Sequence, residues 1–136
     1  MAATFNTGTQ VAPGNNYTPN NVTNPVLVWI AYARRPGPTT LAASNWLFGA
    51  TSMNEAPSTD VFNDIAGGGD PVVACATLAN PSISSQTLDV TWSNTFTAEF
   101  GYAITITGGN QTTPVSDSDG AAYSSATSPS LSYTAP

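Results

Sequence analysis

The sequence contains very few charged residues. Asp, Glu, Lys and Arg make up 7% of its 136 residues, against about 25% in an ordinary soluble domain. Lysine is absent, and the two cations are the neighbours Arg34 and Arg35. A chain with a net charge of −6 and two cations cannot neutralise a phosphate backbone, so we expect no nucleic-acid partner. The same deficit argues against adhesion to anionic membranes.

Histidine is also absent and cysteine occurs once, which removes most catalytic chemistry. No imidazole can serve as the base for a nucleophile. Cys75 lies in an apolar segment with no cation to lower its pKa, so we expect a buried, inert thiol. A glycosidase would need two carboxyl groups about 5–10 Å apart in a cleft, whereas most of the eight acids lie beside turn residues. We therefore expect no enzymatic activity and no cofactor.

One short acidic motif raises the question of a metal. The sequence Asp117-Ser118-Asp119-Gly120 is similar to the start of a calcium-binding loop. A calcium loop also needs a third oxygen donor and a distal glutamate at fixed spacing, and neither follows. An Asx turn is the expected structure, calcium is the alternative, and we predict no metal site.

Long hydrophobic runs are missing as well. The longest apolar run, Val26–Ala33, is too short to span a bilayer. The N-terminus shows neither the basic region nor the apolar region of a secretory signal. We expect a protein made in a cytoplasm, which would reach the outside by a route such as lysis.

The segments between the Pro and Gly residues are rich in Thr, Val, Ile and aromatics and alternate with a period of two, which predicts β-strands. Leu88, Val90 and Trp92 share one face of a strand. Along Phe96–Ile106 the even-numbered residues point one way and the odd-numbered residues the other, so we expect a sheet with one face in the core and one facing water or a partner. The prediction is an all-β fold: a single-domain antiparallel β-sandwich, jelly-roll-like, with extended N- and C-terminal arms.

The expected domain has three parts. Residues 1–25 form an N-terminal strand and arm, residues 26–116 form the sandwich core, and residues 117–136 form a C-terminal arm. The run Val26–Ala33 is apolar on both faces. It should therefore be a central strand that is covered on both sides, or whose outer face enters an interface. We assign Trp29, Trp46 and Trp92 to the core.

Several motifs occur in a characteristic order: Thr4–Gly8, Val26–Arg34, Ser44–Phe48, Leu88–Ser93, Ala103–Gly109 and Thr113–Val115. This order resembles a β-sandwich family found in virion proteins of tailed bacteriophages, in prophages and in some bacterial surface proteins. Asn24-Pro25 and Asn45 depart from it, because the family has Gly-Asp and Gly there. Its members usually continue with another strand, so either this sandwich is smaller or a neighbouring subunit supplies a strand.

The resemblance implies a structural or receptor-facing role with no catalytic residue. Our first hypothesis is a virion protein, most simply a capsid decoration or cement protein of a tailed bacteriophage. Its partners would be the major capsid protein or another virion protein and its own copies, with a trimer as one arrangement. The alternative is a receptor- or glycan-binding module of a fibre or adhesin. Exposed Trp or Tyr residues clustered on one edge of the sandwich would favour the alternative, and aromatics that all lie in the core would favour decoration.

Candidate interface residues lie at the end of the central strand and in the two arms. Arg34 and Arg35 can clamp carboxylates or carbonyls of a neighbour, or form a solvated turn. The other candidates are tyrosines in polar segments: Tyr17, Tyr123 and Tyr133. We expect the N-terminal arm (Ala2–Pro25) or the C-terminal arm (Gly120–Pro136) to lie across a neighbouring subunit, because an unpaired sheet edge can accept another chain.

Overall fold

The computed structural model describes residues 4–34, 41–56, 61–62 and 71–114, with only the backbone described at 61–62. Within these ranges the chain forms strands and turns but no helix. Two antiparallel sheets pack against each other and confirm the predicted β-sandwich. The strands are β1 (Thr4–Phe5), β2 (Thr9–Gln10), β3 (Asn16–Tyr17), β4 (Val26–Arg34), β5 (Ala43–Phe48), β6 (Thr51–Ser52), β7 (Asn54–Glu55), β8 (Val61–Phe62), β9 (Pro71–Ala79), β10 (Gln86–Trp92) and β11 (Ala98–Thr107).

The larger sheet is built around β4, as the apolar run predicts. Its order is β1-β11-β4-β9-β7, with β2 also paired to β11 and β8 to β9. All nine residues of β4 pair with β11 on one side and with β9 on the other. Ile30, the middle residue of β4, lies between Tyr102 and Cys75. The smaller sheet has the order β3-β10-β5-β6.

The core lies between the two sheets. Leu27 and Trp29 of β4 are fully buried, and Leu88 of β10 faces them from the smaller sheet. Trp29 and Trp46 meet edge to face, with ring centroids 5.3 Å apart and planes at 87°, a favourable aromatic geometry. All three tryptophans are buried, so their assignment to the core is confirmed.

The N-terminal segment folds onto its own sandwich and is not a free arm. Strands β1 and β2 pair with β11, and β3 pairs with β10. Side chains reinforce this attachment: Trp29 Nε1 donates to the Val11 carbonyl oxygen at 3.2 Å. The Tyr17 hydroxyl is 3.0 Å from Thr105 Oγ1. Residues 4–25 therefore pair with the sheets of their own chain, contact of this segment with a neighbouring subunit stays a prediction, and Gly120–Pro136 lies outside the described residues.

Asparagine occupies three positions that have a left-handed backbone, two of them beside strand ends and one inside β5. Asn24, Asn45 and Asn80 have φ values of 47°, 49° and 47°. Asn adopts this region more readily than other non-glycine residues. Asn45 lies where the pairing of β5 with β10 changes register. Asn can therefore stand at two of the positions where the resemblance leads one to expect glycine.

Candidate functional site

The two sheets present different outer faces. On the smaller sheet, Leu88, Val90 and Trp92 point into the core, as predicted, and Asp89 and Thr91 are exposed. A polar outer face of this kind is usual for an antiparallel sheet in water. On the three central strands of the larger sheet, β11, β4 and β9, most of the exposed side chains are apolar instead.

Strand β11 alternates as predicted, and the face with the smaller side chains turns inward. Ala103 and Thr105 are fully buried, whereas Phe100 and Tyr102 are 47% and 45% exposed. The large even-numbered residues of the strand therefore face outward. The reason is steric: a Cβ atom on Gly101 would lie 2.5 Å from the Val11 carbonyl oxygen and against the indole nitrogen of Trp29. The interior at this point has room only for small side chains.

The exposed apolar surface continues from β11 across β4 and β9. Ile30 is 37% exposed and Val73 is 41% exposed, while Tyr32 and Cys75 are half-buried. The strand register places these residues in two adjacent rows across the three strands. One row is Phe100, Tyr32 and Val73, and the other is Tyr102, Ile30 and Cys75. Tyr32 and Phe100 stack with ring centroids 4.3 Å apart and planes at 22°. We call these six residues the apolar outer face.

The face is about as large as the largest apolar patch on a typical monomer. If a whole aromatic side chain presents about 200 Å², Phe100 and Tyr102 each leave about 90 Å² accessible at their fractional exposures. With Ile30 and Val73 the exposed area reaches about 300 Å², the range in which patches are often functional. Covering it would contribute about 7 kcal/mol at about 25 cal/mol per Å², which is similar to the entropic cost of association. The face can therefore contribute to an interface.

Side chains at the margin limit the extent of the face. Thr77, farther along β9 on the same side, is only 2% exposed. Thr112, Thr113 and Pro114 line a groove with it, so this corner of the sheet is covered by the chain itself. Arg34, at the opposite end of β4, is exposed, and strand alternation places it on the side of Tyr32.

The residues predicted to form an interface have different outcomes. Arg34 is exposed as expected. Tyr17 is 7% exposed and its hydroxyl lies within hydrogen-bond distance of Thr105 in the same chain, so little of its side chain is accessible, and its contact with a partner stays a prediction. Arg35, Tyr123 and Tyr133 lie outside the described residues, as does the motif of residues 117–120.

Sequence reasoning missed Phe100, Tyr102 and Val73 as surface residues. One feature of the sequence indicates such a surface. The run Val26–Ala33 is apolar on both faces, and an interface on the outer face of the central strand is one of the two explanations for this pattern. Ile30 lies on that outer face and is exposed. Strand β9 carries the same signal, because it is apolar on both faces at Val72 and Val73.

The described part of the chain offers little reactive chemistry. Burial raises the pKa of the Cys75 thiol to about 11, so the thiol is neutral and weakly nucleophilic near neutral pH. Glu99 accepts a hydrogen bond from Trp92 Nε1 at 3.0 Å, and this contact connects β11 to β10. Within the described ranges, no group of three or more His, Cys, Asp or Glu side chains could hold a metal ion.

Among the described residues, no helix is both long and apolar enough to span a membrane. Comparisons of the chain with models of protein families, with curated proteins and with solved structures found no match.

Proposed function

We propose that this protein is a non-enzymatic structural protein of a virion, and specifically a capsid decoration or cement protein of a tailed bacteriophage. The observation that carries the proposal is the apolar outer face on an otherwise ordinary sandwich. A soluble sandwich normally turns a polar face to water, so an uncovered apolar sheet favours a role in which neighbours cover it. The motif order along the chain is what points to a tailed phage in particular.

The sandwich is suited to such a role for physical reasons. Paired strands on both sides of β4 make a stiff block whose surface changes little on binding, so little conformational entropy is lost. Many copies on one particle bind multivalently, and weak contacts at each site add up to particle stability. Partners would be the major capsid protein and other copies of this chain.

The alternative function, a receptor- or glycan-binding module, has one observation in its favour. Exposed aromatics are the sign expected of this alternative: Tyr32, Phe100 and Tyr102 form an aromatic surface on the larger sheet, and sugars stack on such surfaces. A glycan site also needs polar groups that fix the orientation of the ligand. The Tyr102 hydroxyl already donates to the Gly8 carbonyl oxygen at 3.1 Å. Among the other five residues of the apolar outer face, the Tyr32 hydroxyl and the Cys75 thiol are the only polar groups, and this scarcity favours assembly over glycan binding.

The proposal is tested by locating the protein in purified particles from the source of this sequence. We expect an antibody to the chain to label intact capsids in a regular pattern, and a chain lacking the Phe100 ring (Phe100→Ser) to be retained at lower copy number. Ile83→Ser is the matched control, because Ile83 is 53% exposed but lies outside both sheets. Absence of the protein from particles, together with specific binding on a glycan array, would reject the proposal in favour of the alternative.

A further inference from the structure

We propose that residues 115–136, which we call the C-terminal segment, lie across the apolar outer face of their own chain and are displaced from it by a neighbour on the particle. This inference concerns the regulation of the face and rests on the proposed function. Its support comes from the course of the chain after β11, from the area of the face and from the charges at its two ends.

The chain after β11 is directed across the end of the larger sheet. Strand β11 ends at Thr107. Gln111 Nε2 then donates to the Pro25 carbonyl oxygen at 3.4 Å, and Gln111 Oε1 accepts from the Asn80 backbone N–H at 3.1 Å. Because Pro25 precedes β4 and Asn80 follows β9, these two bonds hold the chain against the ends of both strands. The chain therefore leaves β11, passes β4 and reaches β9.

At this end the chain already covers the outer side of the sheet. Val26 of β4 and Thr77 of β9 lie on the outer side by strand alternation, yet each is only 2% exposed. A Cβ atom on Gly109 would clash with the Val26 side chain, and Thr113 and Pro114 line a groove with Thr77. Pro114, the last described residue, therefore lies beside the point where the apolar outer face begins.

The whole face lies within short reach of this groove. Counted from Thr77, its two rows are two and four residues along β9. Phe100, the farthest member, is also two strands across, which is about 16 Å away at about 3.3 Å per residue and about 4.8 Å per strand. About five extended residues span this distance, so residues 115–136 are long enough to cross the face.

The area of the face favours a tethered occupant over a separate one. Its exposed area of about 300 Å² is well below the ~800 Å² per partner of standard interfaces. A separate molecule must offset the loss of its translational and rotational freedom, whereas a segment of the same chain only closes a short loop. On a particle, contacts outside the face add to those on it and act multivalently, so a neighbour can displace the segment.

Charges at the two ends of the face direct the segment across it. The segment has two charged side chains, Asp117 and Asp119. Glu55 lines the groove at the covered end and repels them, whereas Arg34, exposed at the far margin, attracts them. None of the six residues of the face is Asp, Glu, Lys or Arg. The segment can cover them with apolar side chains of its own: Val115, Tyr123, Leu131 and Tyr133.

The first test measures how fast Cys75 is alkylated in the full-length chain. The segment variant combines Tyr123→Ser, Leu131→Ser and Tyr133→Ser, and Ile83→Ser, outside both sheets, is the matched control. We expect the segment variant to react about fivefold faster than the wild type or more, because the rate follows the population in which the face is open. The control should react at the wild-type rate, and no rate should depend on protein concentration.

The second test locates the segment without removing its contacts from the other positions. With the photo-crosslinking residue p-benzoylphenylalanine in place of Tyr123, irradiation of the free chain should link this position to the apolar outer face of the same molecule. The same residue in place of Ile83 should not link to that face. On particles, the link from position 123 should move to another polypeptide.

Equal alkylation rates in the wild type and the folded segment variant would overturn the inference, and so would links from position 123 to the smaller sheet alone. A wild-type rate that falls as protein concentration rises would show that a second copy covers the face instead. A link to the chain's own face that persists on particles would refute displacement. The proposed function fails separately: a covered face in a chain that never labels capsids rejects it and leaves the cover in place, whereas labelled capsids without a covered face reject only the inference.

Discussion

The orientation of β11 decides which residues form the candidate site, and it can be tested by adding one methyl group. In Gly101→Ala the new Cβ atom meets the Val11 carbonyl oxygen at 2.5 Å and the indole of Trp29. Trp29 is fully buried, so its ring cannot move aside without displacing the core around it. Either the ring or the backbone of the N-terminal segment must shift.

The cost of this substitution follows from two contributions. Overpacking a well-filled core costs about 1–3 kcal/mol. The shift also lengthens the hydrogen bond from Trp29 Nε1 to Val11, now 3.2 Å, and the loss of such a bond adds about 0.5–1.5 kcal/mol. We expect Gly101→Ala to lower the free energy of unfolding by about 2–4 kcal/mol. For a chain of 136 residues, this corresponds to a fall in Tm of roughly 10 °C.

The matched variant is Phe100→Ala, one residue away on the opposite face. Phe100 is 47% exposed and loses mainly its stacking on Tyr32, so we expect a cost of about 1–2 kcal/mol. A fully buried phenylalanine would cost about 3–5 kcal/mol. Urea unfolding followed by tryptophan fluorescence measures both variants. If Gly101→Ala is neutral and Phe100→Ala costs 3 kcal/mol or more, the faces of β11 are assigned the wrong way round.

Three further predictions concern single side chains. Because the pKa of Cys75 is raised from 9.0 to about 11, the folded chain holds this proton more tightly than the unfolded chain. Stability should therefore fall as pH rises from 9 to 11, by about 2–3 kcal/mol at the upper end, and this part of the fall should be absent from urea curves of Cys75→Ala. Glu99→Ala leaves the Trp92 N–H unpaired and should cost about 1–3 kcal/mol, while Glu99→Gln keeps an acceptor and should recover most of the thermal stability. Tyr17→Phe should cost about 1 kcal/mol in urea unfolding by removing the bond to Thr105; an unchanged midpoint would show that this hydroxyl does not hold the N-terminal segment.

The amino-acid sequence by itself determined the central strand, the faces of β10 and the burial of the tryptophans. Val26–Ala33 is apolar at every position, so only a central strand could accommodate it. The tryptophans lie in apolar strand contexts and are buried for the same reason. The faces of β10 were also predictable. Leu88, Val90 and Trp92 alternate with short polar residues, so only the face with these three apolar residues can turn toward the core.

Only the tertiary structure decided which face of β11 turns inward. Alternation establishes that the two faces of a strand differ, but the inward face is chosen by the volume that the facing side chains leave free. Here Trp29, from the neighbouring strand, fills the space above β11, so Gly101 fits and Phe100 does not. Tyr17 lies in the core for a similar reason, because Thr105, which is distant in sequence, gives its hydroxyl a buried hydrogen-bond partner. A local sequence pattern does not contain the volume or the hydrogen-bond partners that distant segments contribute. Here the volume of Trp29 turns the large side chains of β11 outward, and this produces the apolar outer face.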